Sequence, residues 1–399
     1  MIMKTKRVFI RGAGIISSLG QNKEDFWLKL NSAHEDKAPY FSHFNSKDNG
    51  KSYYCGEVKD FSISDYYDEK LSRNLDRASE FASAVAKQAL EDSRINLDKF
   101  EDSQKGVCLG ISDSIATSMS DFDESVLVKG PRRCDIGIFP NTVMCAPASR
   151  IAIFEKIKGS NTTFSSGRNS GLDAIGFAFL QIMFEEKKII IAGGAEALSS
   201  KILKGLENEN LLFEVDQHKS FESKQGKFIP TEGASVVILC ASDEGSQAYA
   251  EILAFNNSFA PYKKRDILAR IKALSKNIQI TLKDACLPPS SIDAIIISSH
   301  FDHVDREVET GAIANIFSKS TLKQTPVLGF KKGTGENFSA FGAMQVISAV
   351  GFFRNKFSRP SIDYFNLNPF FSTLKEFKHI LIISLDSAGH NGSVVVSSP

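Results

Sequence analysis

Short apolar runs alternate with longer stretches in which apolar residues recur every three or four positions, and the alternation continues along the whole chain. The runs Arg7–Arg11, Gly106–Gly110, Thr162–Ser165, Lys188–Ala192 and Ser235–Cys240 read as strands. A helix begins near Lys23. Another spans Asp76–Ser93, with Ala82, Val85, Ala86, Ala89 and Leu90 on one face, and a third spans Leu172–Phe184, with Ile175, Phe179 and Ile182 at helical spacing. Strands alternating with helices predict an α/β fold with mostly parallel sheets. The polar stretches His43–Lys51 and Glu207–Lys227 are expected to be surface loops.

The same order of elements recurs. Leu90–Ser93 ends a helix ahead of the strand at Val107, and Leu282–Ala285 ends another ahead of the strand Ala294–Ser298. Gly233–Val237 closes the first series and Gly392–Val395 closes the chain. A duplicated α/β unit accounts for this, with halves 1–245 and 246–399.

Composition acts mainly by exclusion. The 399 residues, 42% hydrophobic and 24% charged, suit a soluble chain with substantial cores. A formal net charge of +1 argues against nucleic acid as a partner. No apolar run reaches the roughly 18 residues of a membrane span, and the N-terminus lacks the apolar core of a signal peptide. A cytoplasmic location without a membrane partner is the expectation. The six cysteines, Cys55, Cys108, Cys134, Cys145, Cys240 and Cys286, form no CxxC pair, so no metal site is expected. Cys108 and Cys240 lie inside strand-like runs and read as core residues.

One segment carries the layout of a chemical site. Asn161–Gly176 reads as strand, tight turn and helix, a nucleophile elbow in which a reactive side chain sits at a helix N-terminus whose dipole favours its anion. The residue at the elbow is Arg168. A guanidinium stays protonated and cannot act as the nucleophile. The layout is present with its reactive atom replaced.

Taken together, Arg7–Gly20, Asp76–Ala84, Pro140–Thr142, Lys158–Asn161, Ala192–Ala197, Thr231–Ala234 and Ser384 through Gly389-His390-Asn391 resemble, in order, the β-ketoacyl-acyl-carrier-protein synthases of the thiolase superfamily. The resemblance implies a thiolase-like five-layer αβαβα fold of two similar halves, an obligate dimer, no cofactor, and a cysteine nucleophile assisted by two histidines. Arg168 stands at the position of the cysteine, His300 at that of the first histidine and Glu336 at that of the second; the family's lysine is kept as Lys331. Phe301 and Asp302 replace a small turn after the first histidine, and Asp386–Gly389 replaces a glycine-rich gating turn. An ionised Glu336 only accepts hydrogen bonds and repels a developing enolate, so independent condensation is not expected. Arg168 and Glu336 are expected to form an ion pair within about 4 Å.

A family member lacking the cysteine resembles a chain-length factor, although such subunits carry glutamine at the elbow where this chain has arginine. The resemblance then implies pairing with an active ketosynthase through Thr162, Thr163, Phe164 and Ser165, a tunnel lined by Met119, Phe122, Ile138 and Phe139, and an acyl carrier protein as a further partner. Arg132-Arg133 and Lys263–Arg265 are the basic runs that could meet an acidic carrier, although short basic runs are usually solvated faces. Two other readings stay open. One is an acyltransferase or hydrolase using His300 with Ser166 or Ser170; the other is a homodimeric module that binds acyl chains or carriers.

Overall fold

The computed structural model describes residues 6–32, 40–184, 187–215, 227–241, 247–261, 266–298, 303–357 and 376–399. The first series of strands is β1 (Val8–Ser17), a hairpin of β2 (Ser42–Asn45) and β3 (Ser52–Cys55), then β4 (Lys105–Gly110), β5 (Ser160–Phe164), β6 (Ile189–Glu196) and β7 (Gly233–Ala241). The second is β8 (Ala250–Phe259), β9 (Ala294–Ile297), β10 (Val327–Gly329), β11 (His379–Leu385) and β12 (His390–Ser397). The hairpin aside, the first series lies in the order β5-β4-β6-β7-β1 and the second in the order β10-β9-β11-β12-β8. Each is therefore ordered third, second, fourth, fifth, first. Strands β1 and β8 pair through Val8–Ile10 and Ala250–Ile252, so the two sets join into one ten-stranded sheet among the described residues.

Strand direction departs from the expected mostly parallel arrangement. β4 runs parallel to β5 and β6, but β6–β7 and β7–β1 are antiparallel. The second set repeats this, with β9 parallel to β10 and β11, and β11–β12 and β12–β8 antiparallel. The unbroken apolar runs that suggested parallel strands arise because helices cover both faces of each sheet, which removes polar alternation whatever the strand direction.

Helices α1 (Arg77–Ser93) and α2 (Ala146–Phe154) cover the outer face of the first set, β1 and β4 to β7, where Phe81, Val85 and Ile151 meet Leu109, Ile191 and Val236. Asp76 starts α1 by accepting the Ser79 N–H, and Arg94 ends it in a left-handed conformation. Helix α3 (Ser170–Phe184) lies on the other face. Helices α4 (Ile267–Asp284) and α5 (His303–Ile316) cover the outer face of the second set, packing Leu274, Ile278 and Val308 on Ile295, Leu381 and Val395. Helix α6 (Phe338–Phe353) lies beside α3 in the middle layer. It is buried on every side, as its nearly continuous apolar sequence requires. The result is a five-layer αβαβα stack.

Two loop expectations are refined. His43–Asn45 belongs to β2, leaving only Ser46–Lys51 as a turn, because Phe44 stacks on Tyr53 and His43 packs on Tyr54 across the hairpin. Glu207 and Asn208 end the helix Ser200–Asn208, while 216–226 lie outside the described residues. So does the expected division near 245. Cys108 and Cys240 are fully buried. No described helix is long and apolar enough to cross a membrane.

Candidate functional site

The strand β5 ends at Phe164, and a single tight turn, Gly167–Asn169, leads into α3. Gly167 takes φ +64°, a conformation that glycine adopts without strain. A Cβ on Gly110 would lie 2.3 Å from the Ser170 carbonyl carbon, so glycine lets β4 abut the start of α3. Ser170 stitches the turn, its Oγ accepting the Ser166 N–H at 2.9 Å and donating to the Gly167 carbonyl at 2.6 Å. Asn169 is fully buried and accepts the Ser384 hydroxyl at 2.6 Å. These bonds fix the turn that carries Arg168.

The Arg168 guanidinium lies between two buried carboxylates. Its Nε is 3.3 Å from Glu336 Oε2 and its Nη1 is 3.5 Å from Asp305 Oδ2. Beyond them, Glu336 Oε2 accepts from Lys331 Nζ at 2.8 Å and Asp305 Oδ1 from Arg270 Nη2 at 2.7 Å. The Phe338 N–H donates to Glu336 Oε1 at 3.1 Å. A chain of alternating charge results: Arg270, Asp305, Arg168, Glu336, Lys331. Aromatic faces back it, with the Arg168 guanidinium 5.4 Å from the Phe228 ring centre and Lys331 Nζ 4.5 Å from that of Phe341. The Arg168 side chain keeps 21% exposure, while the other four are nearly buried.

Burial opposes ionisation of Glu336, but the charges of Lys331 and Arg168 outweigh it and hold the carboxyl below its ordinary value. Burial pushes Lys331 below its usual range against the pull of Glu336, with Arg168 adding repulsion. The site therefore holds an ionised carboxylate where a neutral or cationic donor would be needed to stabilise an enolate.

The elbow's backbone donor is also engaged. The Arg168 N–H, at the turn into α3, donates to Asp386 Oδ2 at 3.2 Å. Asp386 Oδ1 accepts the Ala388 N–H at 2.7 Å. The serine hydroxyls proposed as substitute nucleophiles are committed too. Ser166 Oγ donates to Asp173, whose carboxyl burial raises, and Ser170 Oγ donates within the turn. His300, Phe301 and Asp302 lie outside the described residues, as do Lys263–Arg265.

Of the residues expected to line a tunnel, Ile138 borders a cavity of about 330 Å³ whose wall also includes Asp76, Thr117, Ser118, Asp121 and Asn141. Met119, Phe122 and Phe139 are not on that wall. Met119 and Phe139 are exposed, and Phe122 packs on Phe139 with ring centres 5.4 Å apart. Thr162, Thr163 and Phe164 lie on β5, the half-exposed last strand of the sheet, and Ser165 follows it exposed. Leu127, Val128, Ile136, Val143 and Ile153, in the stretch of chain between β4 and β5, are exposed. Arg132 and Arg133 are exposed. Among the described residues, no group of three or more His, Cys, Asp or Glu could hold a metal ion.

The structure thus brings Arg168, Lys331 and Glu336 together, and adds Arg270, Asp305 and Phe228, which the sequence reading missed. A signal for two of these was present. Asp305 shares a buried helical face with Val308, Ala312 and Ile313, and Arg270 shares one with Leu274 and Ile278. A charge at a core-facing position needs a partner. Glu196, at the end of β6, is another such charge: it accepts the Ser112 and Asp113 N–H groups and the Ser339 hydroxyl, and burial pushes its carboxyl up to about 7.

Comparisons with known proteins agree with this architecture. The family described as "Beta-ketoacyl synthase, N-terminal domain" matches residues 5–244, more than half of the chain. The 3-oxoacyl-[acyl-carrier-protein] synthase 2 of Vibrio harveyi is 24% identical, covering 98% of this chain and 99% of its own length. A chain of the ishigamide ketosynthase/chain length factor superposes with TM-score 0.83 at 18% identity, covering 99% of this chain and 100% of that one. A chain from a ketosynthase in complex with its chain length factor from Xenorhabdus doucetiae gives TM-score 0.79 at 19% identity, covering 99% and 98%.

Proposed function

The chain belongs to the β-ketoacyl synthase family, and from that premise we propose that it is a non-catalytic, chain-length-factor-like subunit that pairs with an active ketosynthase. The observation that carries this reading is the state of Arg168. The elbow side chain is ion-paired to Glu336 and Asp305, and the elbow N–H is bonded to Asp386. Neither a nucleophile nor a free oxyanion donor is offered where acyl transfer requires both. The partner would meet β5 and its exposed apolar surroundings, and Ile138 with the cavity beside it would shape the tunnel. The substrates would be chains borne by an acyl carrier protein in the cytoplasm, in polyketide, polyene or fatty-acid-like synthesis. Residues 1–245 and 246–399 would be its two structural halves.

Co-expression tests the proposal. With a ketosynthase bearing the intact Cys-His-His set, the chain is expected to elute as a one-to-one heterodimer and to support elongation that neither subunit performs alone. Elongation by the purified homodimer, or an acyl group found covalently on it by intact mass, would overturn the reading.

A further inference from the structure

The hairpin between β11 and β12 ends in a turn, and the turn is tied down at both ends. The Asp386 N–H donates to the His390 carbonyl at 2.9 Å, and the Gly389 N–H donates to the Asp386 carbonyl at 3.0 Å. On the far side, the Ala260 N–H donates to the Gly389 carbonyl at 2.9 Å. Gly389 has φ +110°, and a Cβ there would lie 2.2 Å from the Ala260 carbonyl oxygen, so the turn sits directly on the end of β8. The Asp386 carboxylate then reaches across to the elbow in the other half. One oxygen holds the Ala388 N–H and the other the Arg168 N–H. A Cβ on Gly167 would come within 2.7 Å of Asp386 Oδ2, so the elbow glycine is what admits the carboxylate.

We propose that Asp386 is an internal latch: its carboxylate occupies, from within the chain, the place that the carbonyl oxygen of an acyl thioester would take at the elbow. Two features make the latch effective. A bond from a backbone N–H to an ionised carboxylate is stronger than one to a neutral carbonyl, so an incoming thioester competes poorly. The ligand is also tethered, and its effective concentration exceeds that of any free competitor. The consequence is that this subunit refuses the carrier-borne chain, and a heterodimer loads one chain rather than two. The inference rests on the preceding reading only for the identity of what is kept out. The latch itself is a property of this chain alone.

The test uses the full-length chain without a partner, so its outcome is separate from whether a heterodimer forms. A thiol is placed at the elbow as R168C, with and without D386A, and alkylation by iodoacetamide is followed by mass analysis of the peptide that carries position 168, which separates it from the exposed Cys145 and Cys286. The rate compared is the pH-independent one reached when the thiol is fully ionised, which removes any difference in thiol acidity. R168C/D386A is expected to react about tenfold faster or more than R168C, as for a group released from a protected position. Rates within twofold of each other overturn the latch. If R168C does not fold by circular dichroism, hydrogen exchange at the Arg168 amide decides, comparing D386A with the parent chain. Faster exchange by about tenfold supports the latch, and unchanged exchange overturns it.

Discussion

Strands β5 and β10 occupy the same place in the two halves, each third in chain order and each at an end of the ten-stranded sheet. They have met different fates. The three residues of β10 are wholly buried, while the five of β5 are at best half-buried, and the segment that precedes β5 in the chain carries Leu127, Ile136 and Phe139 exposed. An unpaired strand edge beside exposed apolar residues invites pairing with another chain, whereas a covered edge does not. The two strand sets share one topology. On the proposed reading, the partner would meet the sheet edge at which the two sets differ.

The largest effect expected from this contrast is at the buried edge. V327D places an unpaired carboxylate among buried side chains and should cost about 4 kcal/mol or more of stability, read by urea unfolding. F139E, at the exposed side, should change stability by less than about 1 kcal/mol yet weaken association with a ketosynthase partner about a hundredfold, read by sedimentation or calorimetry. Equal stability losses for the two would erase the distinction between the edges.

Arg168 joins the halves, since it stands at an N-terminal elbow while Asp305 and Glu336 come from the second half. Replacing it with methionine removes a counter-ion that Asp305 and Glu336 share, leaves each with its other partner, Arg270 or Lys331, and should cost about 1 to 2 kcal/mol. The double variant R168M/E336Q should cost less than the sum of the single losses by about 1 kcal/mol or more, because the two groups interact directly. Additive losses in urea melts would show that the pair is not coupled.

A pH-dependent effect separates a charge in one half from those of the site. Glu196 has a folded value near 7, above the ordinary 4.5, so its contribution favours folding fully below pH 4.5 and is lost as pH rises towards 7. The loss is at most about 3 kcal/mol. E196Q should lack it, so the stability of the variant relative to the parent should rise between about pH 4.5 and 7 and level off above. A difference flat in pH would contradict this.

Much of the architecture was readable from pattern alone. Strand-sized apolar runs such as Ser235–Cys240 and the helical spacing of Ile175, Phe179 and Ile182 located elements that the structure contains. Strand direction was not readable, since two-sided burial erases the alternation that marks an antiparallel strand. At the site, Arg168, Lys331 and Glu336 were legible because short glycine-rich frames surround them. Asp305 and Arg270 lie on ordinary helices, and only their core-facing positions betray them. Asp386 was legible as a departure in composition, but its bond to the elbow joins residues 218 positions apart and depends on how the halves dock.

The chain of alternating charge at Arg168 also constrains what evolution can do with this protein. Cysteine at position 168 would supply a thiol in one step. The same step would remove a shared counter-ion from Asp305 and Glu336 and leave Asp386 on the elbow N–H. On the proposed reading, a route to catalysis would therefore cross variants that are less stable and still lack a free elbow N–H, and selection on either property would oppose them. Stacked dependencies of this kind act as a ratchet: on the proposed reading, the chain would be held to a supporting role by the folding penalty of its neighbours as much as by the absence of one sulfur atom.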